Sequence, residues 1–163
     1  MMHFRGLVVA IAVCLPSFGA ASDVLLSVSG DVASPPQGAT WALTSEDLRG
    51  MPATVFETET IWTEGPQVFE GVSLQALLET VGASGRMLRA TAANDYAVSI
   101  PVSDAVEGGP IIAYSRNGET MPLRDKGPLW IVYPYDDNEK YKTEEFYSRS
   151  IWQLNRLEVI GEE

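Results

Sequence analysis

Cysteine and histidine are almost missing from this chain: there is one of each, Cys14 and His3, in 163 residues. Both fall near the start, in a segment with the marks of an export signal. Met1 to Arg5 supplies the early positive charge, Gly6 to Leu15 is apolar apart from Cys14, and Gly19 and Ala21 are the small residues a signal peptidase reads. Cleavage after Ala21 is therefore expected, leaving one domain over residues 22–163. The apolar run is shorter than the roughly 20 residues a spanning helix needs. A lipid-anchored alternative would use Cys14, but Val13 before it is too bulky. Exported in this way, the domain would carry no thiol, no disulfide and no imidazole. That excludes Cys or Ser-His-Asp nucleophilic catalysis and the usual zinc, copper and haem ligand sets. A chain without thiols suits an oxidising compartment such as the periplasm.

Positive charge is also scarce, with 11 Lys and Arg against 22 Asp and Glu. The resulting net charge of −11 argues against nucleic acid and anionic membrane as partners. There is no internal repeat and no low-complexity linker.

Turns and apolar patterns divide the chain into short elements. Val24 to Val32 alternates as a strand, and Ser34-Pro35-Pro36-Gln37-Gly38 closes it. Thr44 with Asp47 reads as a capping box opening a short helix. Thr54 to Thr63 is rich in β-branched and aromatic residues and predicts a long strand. Ser73 caps a helix running to Val81, whose apolar stripe is Leu74, Leu77, Leu78 and Val81. Met87 to Ala93 and Ala97 to Ile100 form a hairpin about Asn94-Asp95-Tyr96. Ser103 to Glu107 suits one helical turn. Pro110 to Ser115 precedes an Asn117-Gly118 hairpin turn, Leu129 to Tyr133 is a buried strand, and Ile151 to Ile160 is the last strand. About eight strands with two or three short helices, mixed in order, predict an α+β fold with a β-rich mixed sheet.

The aromatic residues are unevenly spread. Trp130, Tyr133, Tyr135, Tyr141, Phe146, Tyr147 and Trp152 crowd into one stretch. They suit either the rim of a site for a flat ligand or a hydrophobic cluster under a long loop. Asp136 to Lys140 lacks the central Gly of a calcium loop and reads as a solvated acidic loop. Arg149 between Ser148 and Ser150 could hold an anion, or pair with Glu144 or Glu145. Asn94-Asp95-Tyr96 could read the edge of a heterocycle, or form an ordinary Asx-turn. Gly82 to Arg86 follows a helix, so it is not a phosphate cradle.

Four segments together carry a resemblance: FEGVSLQALLE (69–79), ANDYAVSIP (93–101), RNGETMPLRDKGPLWIVYP (116–134) and YSRSIWQLNRLEV (147–159). They resemble the oxidoreductase molybdopterin-binding domain, with its sulfite-oxidase-type fold. In that family's enzymes a Cys thiolate ligates molybdenum, at a place that falls near Thr60 to Trp62 here. Thr, Ile and Trp do not replace a soft thiolate. The chain is also similar to a smaller exported subgroup that lacks this Cys. Its members are periplasmic pterin-binding partners of membrane signalling proteins. This resemblance implies a pterin pocket built from Trp62, Asn94, Asp95, Tyr96, Tyr147, Arg149 and Trp152, without a redox metal, in a binding protein rather than an enzyme. Trp62, with Trp152 or Tyr147, would stack on the ring, Asn94 and Asp95 would meet its amino-pyrimidine edge, and Arg149 its polar substituents. Two alternatives stand beside it: a small molybdopterin-dependent oxidoreductase, and a ligand-free interaction module using the aromatic cluster.

Overall fold

The computed structural model describes residues 23–36 and 38–161. The expected signal segment, its cleavage site, Cys14, His3 and Gln37 of the first turn lie outside the described residues.

Two five-stranded sheets build the domain, joined by one continuous apolar core. The first contains β1 (Val24–Gly30), β2 (Trp41–Thr44), β5 (Met87–Ala92), β6 (Ala97–Pro101) and β10 (Leu154–Ile160), in the order β2-β1-β10-β5-β6. Its β1–β10 pair is parallel and the remaining pairs are antiparallel, so the sheet is mixed. The second contains β3 (Ala53–Thr58), β4 (Gln67–Ser73), β7 (Ile111–Arg116) and β8 (Glu119–Thr120) in chain order, with β9 (Trp130–Val132) also pairing with β7. Three short helices, α1 (Ser45–Gly50), α2 (Leu74–Thr80) and α3 (Glu144–Arg149), complete the α+β architecture. Among the described residues, no helix is long and apolar enough to cross a membrane.

Local chemistry explains most of these elements. Thr44 caps α1 as the sequence predicts. Its side chain accepts the Asp47 N–H, and the Asp47 carboxylate accepts the Thr44 N–H at 2.8 Å. Those bonds hold the Asp47 carboxyl below the ordinary aspartate range. Ser73 caps α2 through the Ala76 N–H at 3.0 Å, and Leu74, Leu77 and Leu78 bury the predicted stripe. Asn117 and Gly118 both have positive φ, as a two-residue hairpin turn requires. Gly71 lies where β4 slips its register against β7. A Cβ there would sit 2.1 Å from the Ile112 carbonyl oxygen, so the two backbones approach this closely only with glycine.

Several boundaries differ from the sequence reading. The strand expected over Thr54 to Thr63 ends at Thr58, because the next backbone groups bond elsewhere. The Asp136 carboxylate accepts the Glu59 N–H at 2.6 Å, and the Asp136 N–H donates to Thr58 Oγ1 at 3.1 Å. Residues 61–65 then turn, which places Trp62 on a loop. The last strand begins at Leu154 rather than Ile151, since Gln153 has a φ of 54° and breaks the extended run. Strands β2 and β4 and helix α3 are additions, which raise the strand count to ten. The helical turn expected at Ser103 to Glu107 is a single 3-10 turn, Val102–Asp104.

Candidate functional site: an aromatic cleft between the two sheets

Three segments converge where the sheets are stitched together. The chain between α3 and β10 does the stitching. Ile131 N–H donates to the Ile151 carbonyl at 2.9 Å and Gln153 N–H to that of Lys126 at 3.1 Å. On the other side, Ala93 N–H donates to the Gln153 carbonyl at 2.9 Å. The β3–β4 loop brings Trp62 to this seam, and the β5–β6 turn brings Asn94 and Tyr96. Between them opens a cleft of about 460 Å³, lined chiefly by Trp62, Asn94, Tyr96, Tyr147, Trp152 and Gln153. Small-molecule sites commonly measure roughly 300–1,000 Å³.

The floor is an edge-to-face aromatic network. Trp62 meets Tyr147, Trp152 and Trp130 at ring-centroid distances of 5.8, 5.6 and 5.9 Å, all steeply tilted. Trp130 is fully buried, packs edge-on to Phe69 at 5.3 Å, and donates its indole N–H to the Ser150 carbonyl at 3.1 Å. Trp62 is thus half-buried, anchored to the core by T-shaped contacts yet lining the cleft. Trp152 is 37% exposed and Tyr96 59% exposed, so both keep ring surface open to solvent.

The loop under Trp62 is braced from below. Thr60 is buried, with its Oγ1 2.7 Å from Thr63 Oγ1, and it accepts the Trp62 N–H at 3.2 Å. Asp136 tethers the start of the same loop, and its carboxyl is held below the ordinary aspartate range, chiefly by the Glu59 N–H. A carboxyl depressed by folding contributes stability above the ordinary aspartate pKa and loses it as pH falls through the depressed value. The side chain is 40% exposed, so the contribution is small. The expected signature is local: below about pH 4 the Glu59 amide resonance shifts with carboxyl protonation. Asp136→Asn removes that titration, and proton NMR checks it.

Five of the seven residues expected at a pocket therefore line one cleft: Trp62, Asn94, Tyr96, Tyr147 and Trp152. The other two point elsewhere. Asp95 has a φ of 67° and pairs with Arg156 on the outer sheet face. Arg149 is only 14% exposed, and its guanidinium is taken by Asp104, at 2.9 and 3.2 Å, and by Glu145. Asp104 also accepts the Tyr133 hydroxyl at 2.7 Å. Burial first, then that bond, raises the Tyr133 phenol far above its usual range, and burial likewise raises Tyr135, so both remain protonated. The anion-holding role expected of Arg149 gives way to its alternative, an ion pair within the fold. The aromatic crowding at 130–152 is similarly divided: Trp130, Tyr133, Tyr135 and Tyr141 are core, while Tyr147 and Trp152 face the cleft.

Sequence reasoning did not single out Gln153 or the cleft role of Ser148. Helix α3 carries a legible signal: Glu144 and Glu145 in its first turn and Arg149 in its last. Recognising that helix would have separated Arg149 from its serine neighbours. The cleft's amides are half-committed. Asn94 Oδ1 accepts the Tyr96 N–H at 3.2 Å, an Asx-turn that leaves its NH₂ to donate. Gln153 Nε2 donates to the Leu123 carbonyl at 2.6 Å, leaving its oxygen to accept.

The model of the oxidoreductase molybdopterin binding domain family matches residues 21–136. The chain belongs to this family. Among solved structures it is similar to the sulfane dehydrogenase SoxCD from Paracoccus pantotrophus, with a TM-score of 0.64 and 20% identity. That match covers 86% of this chain but only 39% of the SoxCD chain, and it shows a shared sulfite-oxidase-type fold. No curated protein matches.

The family's molybdopterin sets a test of donors. Among the described residues there is no Cys or His, and no group of three or more His, Cys, Asp or Glu is placed to hold a metal. At Thr60 to Trp62, where the resemblance locates a thiolate, Thr60 Oγ1 is already bonded to Thr63 and to the Trp62 N–H. These residues do not fit a molybdenum centre held by a protein thiolate.

Proposed function

We propose that this domain binds a pterin without a redox metal. One observation carries the reading: the cleft is walled by aromatic rings and carries two amides, yet offers no soft ligand. A pterin is a flat bicycle with a carbonyl, ring N–H and amino groups along one edge. Trp62, Trp152 and Tyr147 supply surfaces for the ring, each contributing about 0.5–1.5 kcal/mol beyond burial. The free NH₂ of Asn94 suits the pterin carbonyl, and the free oxygen of Gln153 suits its amino group.

Within this proposal the protein is exported to the periplasm and acts by binding, not by catalysis. Its pterin-loaded state would bias the periplasmic domain of a membrane signalling protein, through different affinities of that partner for the loaded and empty forms. Support for this part comes from the sequence resemblance and from the signal-like residues at the start of the chain.

Titration with neopterin, followed by tryptophan fluorescence, tests the reading. Three of the four tryptophans, Trp62, Trp130 and Trp152, belong to the aromatic network of the cleft. Saturable quenching with a stoichiometry of one is expected. A signal that grows linearly with added neopterin, as inner-filter absorption alone does, would contradict it.

A further inference from the structure

Resting on the pterin reading, we propose that the cleft selects pterins with an uncharged side chain and discriminates against phosphorylated ones, including the phosphate-bearing molybdopterin of the wider family. No charged side chain is among the residues that line the cleft. Its polar groups are amides and hydroxyls, led by Asn94, Gln153 and Ser148.

Three cations near the cleft have partners of their own. Arg149 stands between two cleft-lining serines, but its fork closes on Asp104 and Glu145. Arg156, beyond the β5–β6 turn, pairs with Asp95. The Lys126 ammonium lies 5.7 and 5.8 Å from the ring centroids of Trp152 and Trp130, and 3.9 Å from Asp125. It is not among the residues that line the cleft.

The carboxylates next to the cleft are paired, Asp95 with Arg156 and Glu145 with Arg149, so local charges balance and the remaining field is that of the chain as a whole. Asp95 lies between the lining residues Asn94 and Tyr96, and Glu145 lies one helical turn before Ser148, whose hydroxyl donates to the Glu145 carbonyl at 2.7 Å. The whole chain adds a net charge of −11. A phosphate needs charge-assisted donors, best a guanidinium fork, to repay its lost hydration. This cleft gives it neutral groups only, in a chain of net negative charge. A neutral hydroxylated side chain meets no such penalty and finds the serine and amide groups it can bond.

Calorimetric titration with neopterin and with neopterin 3′-monophosphate isolates the effect, because the ligands differ only in the phosphate. Neopterin is expected to bind at least about tenfold more tightly at low ionic strength, with the gap narrowing near 0.5 M salt as screening weakens the repulsion. Equal affinities, or a gap that salt leaves unchanged, would overturn this inference and leave the pterin reading standing. Failure of both ligands to bind would overturn the pterin reading, and this inference with it.

Discussion

Trp62→Ala is expected to weaken neopterin binding roughly thirtyfold, the loss of about 2 kcal/mol that truncating a central aromatic anchor brings. Trp62 has two attachments that make this informative. It makes T-shaped contacts with Tyr147, Trp152 and Trp130, which fix its orientation, and it lines the cleft. Its backbone N–H is held by Thr60, so the loop keeps its shape when the ring is removed. Calorimetry is the suitable readout, since the substitution also deletes a fluorophore. Trp62→Phe keeps a ring but a smaller face, and its loss should stay within about fivefold. If Trp62→Ala remains folded by circular dichroism and binds within about twofold of wild type, Trp62 is not the stacking wall.

Trp130→Ala should produce the largest stability loss in the domain, about 3–5 kcal/mol. For a domain of this size that lowers the melting temperature by roughly 10–20 °C. Trp130 has no exposed surface and joins the β9–β7 pairing to the segment that carries Trp152. Its indole N–H satisfies the Ser150 carbonyl inside the core. Trp130→Phe separates the two contributions. It refills most of the volume but strands that carbonyl, so a residual cost of about 1–3 kcal/mol is expected. Differential scanning calorimetry reads both variants. A melting temperature for Trp130→Ala within a few degrees of wild type would mean that the two sheets are not joined through this residue.

How far the sequence revealed the fold depends on where its signals are local. The Thr44 and Ser73 caps, the stripe on α2 and the Asn117-Gly118 turn each depend on residues a few positions apart, and each stands as read. The end of β3 does not. Glu59 leaves the sheet because Asp136, far along the chain, takes its backbone N–H. No pattern within Thr54 to Thr63 announces that. Likewise β4 carries no clear strand pattern, because Gly71 interrupts a strand whose glycine is demanded by the close approach of β7.

The site was legible to a similar degree. Aromatic and amide residues from three separate segments meet in one cleft, among them five of the residues the sequence singles out. The misplacements are Asp95 and Arg149, both charged. Their chemistry suits a ligand, but a charged side chain in a fold answers first to its nearest opposite charge. Arg156 and Asp104 are those charges, and neither is close in sequence.

The central claim is a pterin held without molybdenum. Purifying the protein from its native compartment, then analysing the bound small molecules by mass spectrometry and metals by elemental analysis, tests it most directly. The account predicts a pterin at near-stoichiometric amount with molybdenum at background. Stoichiometric molybdenum together with molybdopterin would contradict it.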